Sequence, residues 1–284
     1  MTIRIKLSGG LGNQMFQFAT GYTLAKKNNV KLSLDLRRFS RRKDHNGFEL
    51  QNVFDIYSKV KFLDNPLDFY LINFKEILHK IDFTYKKFNE PHYHYTKMIS
   101  NVSKHSKLNG YWQSELYFQN YADEIKKIFS FSKQLNEKNS LIANEIKQNQ
   151  SISIHIRRGD YLLPNNSNHN TDLRKYYLKA IEKTSKFYNS PKYFIFTDDP
   201  SWVSRNFTLD YLFKIVNINH QTQSFFDMYL MSLCKSNIIA NSSFSWWGAW
   251  LNNNKDKVVY APKNWFKDKR ISTDDLIPKS WNIL

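Results

Sequence analysis

TIRIKLSGGLGNQMFQFATGYTLAKKNNVKLSLDL, residues 2–36, decides the fold class. Ile3, Ile5 and Leu7 alternate with polar neighbours, the two-residue period of a half-buried strand. Ser8 to Gly12 make a glycine-rich turn, and from Met15 to Lys27 the apolar residues recur at helical spacing. Val30, Leu32, Leu34 and Leu36 then alternate once more. Strand, turn, helix and strand in so short a space predict an α/β domain with a parallel sheet.

The pattern starts again at Ser151. Ser151 to Ile156 reads as a strand, Asp172 to Tyr188 as a helix, Tyr193 to Phe196 as a short buried strand and Ser224 to Lys235 as a helix with two apolar faces. Asn237 to Ala240, Phe244 to Leu251 and Lys257 to Ala261 follow as strand, helix and strand. The polar stretch Ala143 to Gln150 separates the halves, so the sequence predicts two α/β domains, 1–148 and 149–284. Between about Asn65 and Lys107 basic and aromatic residues blur the periodicity into a segment that is helical only in part.

Composition narrows the function classes. A chain of 284 residues, 41% hydrophobic and 16% aromatic, is globular, and no run of about 18 apolar residues reads as a membrane span. No signal peptide opens the sequence, which predicts a cytoplasmic protein. Cys234, the single cysteine, sits by Leu230 and Leu233 and reads as packing, not as a nucleophile. The formal charge of +17 implies a polyanionic partner, whether nucleic acid, an anionic membrane face or a phosphorylated small molecule. Arg37, Arg38, Arg41, Arg42 and Lys43 form the densest cluster, as consistent with a solvated loop as with a binding patch. Nucleic acid is disfavoured, because the charge is spread over both halves and no helix-turn-helix, RRM signature or zinc module is present.

Four stretches carry residues suited to chemistry. In His155–Tyr161, HIRRGDY, alternation puts Ile152, Ile154 and Ile156 on one face and His155 and Arg157 on the other. Ligands of open α/β sheets lie outside the carboxyl ends of strands, where Arg157, Gly159 and Asp160 fall; a surface ion pair accounts for paired arginines equally well. FTDDPSW, residues 196–202, ends a strand with two carboxylates, one suited to capping a helix and one to accepting from a guanine. ANSSFSWWG, residues 240–248, opens a helix with small hydroxyl residues, which is both a cap and an anion site. The loop from Ser8 to Gln14, with Gly10 and Gly12, brings backbone amides near a phosphate but is neither a GxGxxG fingerprint nor a Walker loop. No Asp-x-Asp pair occurs, and His92 and His94 lack the spacing of HExxH, so no metal is expected.

Taken in order, SGGLGNQMFQFATGYTLA, GYWQSELYF, SISIHIRRGDY, FIFTDDPSW and DMYLMSLCKSNIIANSSFSWWGAWL resemble the bacterial α-1,2-fucosyltransferases of glycosyltransferase family 11 across nearly the whole chain. The resemblance implies a GT-B architecture of two facing Rossmann-like domains with parallel sheets, the first on the acceptor side and the second binding GDP-β-L-fucose. It implies transfer to the 2-hydroxyl of a terminal β-galactoside with inversion, without metal or other cofactor. Arg157 would then hold the pyrophosphate, with His155 and Arg158 on the donor side, Asp198 on guanine, and Ser242 and Ser243 at the phosphates. Gly10 and Gly12 would shape the amino-terminal loop on the donor, and Asn13 would approach the sugar and the reacting oxygen. Asp160 is the nominated base and Glu115 the second; pairing with Arg158 or capping a turn suits Asp160 as well. The basic surface and missing anchor add the expectation of O-antigen or capsule assembly on a polyprenyl-diphosphate-linked glycan, with peripheral contact at the inner face of the inner membrane.

Overall fold

A computed structural model of the chain describes residues 1–41, 45–56, 59–62, 85–131, 133–162, 164–169, 171–207 and 210–284. The chain divides into two units, Met1–Ser132 with Asp274–Leu276, and Lys133–Thr273 with Ile277–Leu284.

The first unit runs β1 (Thr2–Lys6), α1 (Leu11–Asn28), β2 (Lys31–Asp35), α2 (Arg37–Arg41), α3 (Leu50–Val53), β3 (Lys61–Phe62), β4 (Lys86–Asn89), β5 (Ser106–Asn109) and α4 (Ala122–Ile128). Its sheet has the order β3-β2-β1-β5-β4, and every pairing is parallel. Ile3, Ile5, Leu34 and Leu108 are fully buried, because alternation turns them to one face. That face meets α1, whose Gly21 lies so close that a Cβ there would stand 2.9 Å from Ile5 Cγ2 and from Leu32 Cδ1. Phe18 and Phe54 close this core on Phe129, with ring centroids 5.6 and 4.9 Å apart.

The second unit runs α5 (Glu137–Gln148), β6 (Ser151–Ile156), α6 (Arg174–Ser185), β7 (Lys192–Thr197), α7 (Pro200–Asn206), β8 (Phe213–Val216), α8 (Phe225–Leu233), β9 (Ser236–Ile238), α9 (Ser243–Trp250), β10 (Val259–Ala261) and β11 (Asn282–Ile283). Its order is β11-β10-β9-β6-β7-β8, again parallel throughout. Ile152, Ile154 and Ile156 pack with Tyr176, Tyr177 and Ile181 of α6. The other strand face is polar: Asn237 Nδ2 donates to Ser153 Oγ at 2.7 Å, and Asn252 Nδ2 donates to Asn237 Oδ1 at 2.8 Å. Cys234 is buried and its thiol is pushed up by that burial, as a packing role requires.

The boundary falls at 132/133 instead of 148. Helix α5, which takes in much of the polar stretch read as the separator, is tied to the second unit by polar contacts. Asn139 and Asn219 exchange hydrogen bonds of 2.8 Å in both directions, and Asn219 donates to Asp227 of α8 at 2.7 Å. Lys192 of β7 and Lys214 of β8 each reach Glu145 at 2.6 Å. In each unit the chain order reverses beside the first strand, between β1 and β5 and between β6 and β9. Those reversals are where open α/β sheets make ligand crevices.

Candidate active site

In the second unit three strand ends meet the β6/β9 crevice. Arg157 and Arg158 follow β6, Asp198 follows β7, and Asn241 and Ser242 follow β9. Asp198 spends its carboxylate on the β6 loop: Oδ1 accepts from Arg158 N at 2.9 Å and Oδ2 meets Arg157 Nε at 3.1 Å. Both side chains of that pair are about a quarter exposed, so its value is orientation of the guanidinium more than stability, about 1 kcal/mol or less. Tyr161 joins two strand ends by donating its hydroxyl to Asn241 O at 2.9 Å, and its ring lies 5.8 Å from Arg157 Cζ.

His155, the penultimate residue of β6, is buried, with Nδ1 lacking a hydrogen-bond partner. Burial, aided by the Arg157 charge, pushes its pKa down to about 3, so the imidazole is neutral at physiological pH. An orphaned polar atom at this depth costs about 1–3 kcal/mol, a penalty that a bound group can relieve. Arg158 turns the other way: its guanidinium lies 4.0 Å over Trp202 and its Nε is 3.4 Å from Asp199 Oδ2. Asp199 is the capping carboxylate of the pair, accepting from Trp202 N at 3.0 Å with Pro200 in the first turn. Ser242 is the N-cap of α9, its Oγ accepting from Phe244 N at 3.3 Å, and Ser243 opens the helix. Asp160 begins a short 3₁₀ turn with Tyr161 and Leu162, and its side chain lies outside the described residues.

In the first unit the β1/β5 crevice is made of amides. Gly9 has φ +74° and would place a Cβ 2.6 Å from Asn13 Nδ2, so glycine is required there on both counts. Gly10 is the N-cap of α1, without a side-chain cap of its own, and Gly12 is buried in the first turn. Glu49 supplies what is missing, its Oε2 accepting from Leu11 N at 3.1 Å. Gln14 and Gln17 are fully buried and brace the loop. Gln14 Nε2 donates to Gly9 O at 2.9 Å, and Gln17 Nε2 donates to Gly110 O at 2.9 Å, linking the ends of β1 and β5. Gln113 Nε2 then donates to Asn13 Oδ1 at 2.7 Å, which fixes Asn13 with its NH₂ turned away from that contact.

Glu90 accepts from Tyr111 N at 2.6 Å and from Trp112 N at 2.9 Å, both after β5. Burial outweighs those two donors and raises its pKa to about 7. Glu115 opens the 3₁₀ turn Glu115–Tyr117, capped by Ser114.

Arg157, Asp198 and Arg158 are therefore joined directly, with His155, Ser242 and Ser243 at the same sheet edge; in the other unit Gly10 caps α1, and Gly12 and Asn13, expected in the loop, lie in its first turn. Gln14, Gln17, Glu49, Gln113 and Tyr161 were not singled out from sequence, although polar Gln14 and Gln17 inside an apolar helix were a visible signal. Among the described residues no three His, Cys, Asp or Glu side chains are grouped as a metal would need, and no helix is long and apolar enough to cross a membrane.

The sequence matches the family Glycosyl transferase family 11 over residues 1–284. It is similar to the alpha-1,2-colitosyltransferase of Escherichia coli, 34% identical over 97% of this chain and 96% of the relative. It is also similar to the O-antigen biosynthesis glycosyltransferase WbnK of Escherichia coli, 32% identical over 92% of this chain and 93% of the relative. The crystal structure of NodZ α-1,6-fucosyltransferase soaked with GDP-fucose shares the fold, with a TM-score of 0.51 at 14% identity over 88% of this chain and 92% of that one. The α/β fold with parallel sheets is thus of the GT-B type found in fucosyltransferases.

Proposed function

The chain belongs to glycosyl transferase family 11, and we propose that it moves L-fucose from GDP-β-L-fucose to the 2-hydroxyl of a terminal β-galactoside with inversion. The observation that carries this reading is Arg157, held through Nε by Asp198 at the crevice of the second unit. As the bond from the sugar to GDP breaks, negative charge grows on the departing diphosphate. A preoriented guanidinium and the amino end of α9, capped by Ser242, oppose that charge with no metal ion in the step. His155 stays neutral and offers Nδ1 to the nucleotide. The α-1,2 linkage and the O-antigen role find support in the names of the Escherichia coli relatives.

On the acceptor side, Asn13 presents its NH₂ to the sugar and the reacting oxygen while Gln113 holds its Oδ1. Asp160 is the proposed base and Glu115 the second choice. The acceptor is a surface glycan borne on polyprenyl diphosphate, met at the inner face of the membrane. Incubation with GDP-fucose and lactose or N-acetyllactosamine, with and without EDTA, followed by linkage analysis, tests the reading. An α-1,2 product that survives EDTA supports it, and absence of transfer to every β-galactoside overturns the acceptor.

A second reading keeps the linkage and changes the sugar, favoured by the 34% identity to the colitosyltransferase. Direct competition between GDP-fucose and a colitosyl nucleotide separates the two, since the true donor has the higher kcat/KM.

A further inference from the structure

The first unit has a charged feature that the fucosyl-transfer reading does not use. Alternation sends Ile3, Ile5 and Leu34 toward α1, so the polar members of the same strands emerge on the opposite face. There Lys6, Arg37, Arg38, Lys87 and Lys107, with Asp35, line a cavity of about 580 Å³. Among the described lining residues one carboxylate stands with five cationic side chains. Asp35 meets Arg37 Nη2 at 2.6 Å and Lys107 Nζ at 3.0 Å. Burial alone would raise the Asp35 pKa, but these two cations outweigh it and hold the carboxyl well below the usual range.

Strand register sets two of these cations side by side. Lys87 and Lys107 are direct partners in the parallel pairing of β4 with β5, one step below Asn89 and Asn109 by alternation. Like charges set side by side on adjacent strands repel; Asp35 already meets Lys107, so an added anion here would act chiefly on the exposed Lys87. The cavity also has a definite place. Lys6 ends β1 two residues before Ser8, and Asn109 ends β5 immediately before Gly110, so the cavity adjoins the loops that carry Asn13 and Gln113.

We infer that this cavity binds a phosphate or diphosphate carried by the acceptor, so that the enzyme selects glycans bearing that group. The inference rests on the fucosyl-transfer reading for the identity of the acceptor, but the anion site itself rests on the cations. A second negative charge on the ligand is what distinguishes this site from a weak surface patch, because each added charge-assisted contact compounds the gain.

Two galactosides differing only in the aglycone, one a short alkyl diphosphate and one a neutral alkyl chain, test it as acceptors at low salt. The expected result is a KM at least about tenfold lower for the diphosphate, with the preference fading as salt rises. The double substitution of Lys87→Ala and Arg38→Ala reduces that preference to near unity, with circular dichroism confirming the fold. In a second arm, inorganic pyrophosphate is titrated calorimetrically into the full chain saturated with GDP, which occupies the donor site. Binding that the double variant loses supports the cavity, and absent binding or unaltered binding in the variant overturns it. Binding of pyrophosphate with equal KM for the two acceptors overturns the acceptor as the source of the anion. If no galactoside accepts fucose, the functional reading fails, and the calorimetric arm still decides the site without turnover.

Discussion

The two crevices occupy the same topological position and are built from opposite materials. In the second unit the β6/β9 reversal is framed by full charges, Arg157 against Asp198, while Arg158 pairs with Asp199 to one side over Trp202. In the first unit the glycine turn and Asn13 at the β1/β5 reversal are held by carboxamides, Gln14, Gln17 and Gln113, and the cations of the neighbouring cavity, Lys6 of β1 and Lys107 of β5 among them, stand beside these amides and not among them. The difference follows from what each reading asks of its site. A leaving diphosphate gains charge and is met by fixed cations, whereas a sugar hydroxyl is neutral and is aligned by oriented dipoles. Topology supplies an opening at each reversal, and side chains decide what it can hold.

Predictions that bear on this contrast run from the charged crevice to its margins. Arg157→Ala is expected to lose on the order of 10²–10³ in turnover, about 3–4 kcal/mol of barrier, with an unchanged circular dichroism spectrum. Retention of more than about a tenth of the activity breaks the claim that charge defines this crevice.

Glu90 tests the neutral crevice through pH. Its folded pKa of about 7 lies above its ordinary value of 4.5, so its contribution to stability is fully present below pH 4.5 and lost as pH rises through 7. The melting temperature should therefore fall between those limits by the equivalent of about 3 kcal/mol, and Glu90→Gln should flatten the slope. An equally steep profile in the variant would show that Glu90 is not buried as described. His155 behaves with the opposite sign. With its folded pKa of about 3 below the ordinary 6.5, its contribution is present above pH 6.5 and lost as pH falls through 3, a trend that His155→Gln should remove.

Gln113→Ala should cost about tenfold in kcat/KM for the acceptor, since Asn13 loses the donor that orients it, while GDP affinity measured by calorimetry stays the same. A fall in GDP affinity instead would join the two crevices into one function and dissolve the comparison. Arg158→Ala, which removes a cation over Trp202, should shift stability by about 1 kcal/mol or less by chemical denaturation.

Much of this was legible in the sequence because it is local. The opening strand, turn, helix and strand, and each strand that ends in HIRRGDY, FTDD or ANSS, follow from periods of two and 3.6 residues. The missed parts are short or long-range. Strands β4 and β5, KKFN and SKLN, are four residues each, and β4 is exposed at every position but Phe88, so they look like basic loop until paired. Gln113 finds Asn13 across 100 positions and Tyr161 finds Asn241 across 80, and no local period encodes either. The cluster at Arg37 and Arg38 became a cavity only when Lys6, Lys87 and Lys107 were brought beside it by strand register; Arg42 and Lys43 of that cluster lie outside the described residues.

Asp274–Leu276 belongs to the first unit although everything around it belongs to the second. Ser114, which caps the turn after Gln113, donates its hydroxyl to Asp275 O at 2.6 Å. Emerging from a ribosome, the amino-terminal unit therefore waits for nearly the whole chain before its last partner arrives. A nascent chain stalled before residue 274 should leave that unit more open to protease than the released protein, while the Ser8–Asn13 loop, complete long before, is protected early.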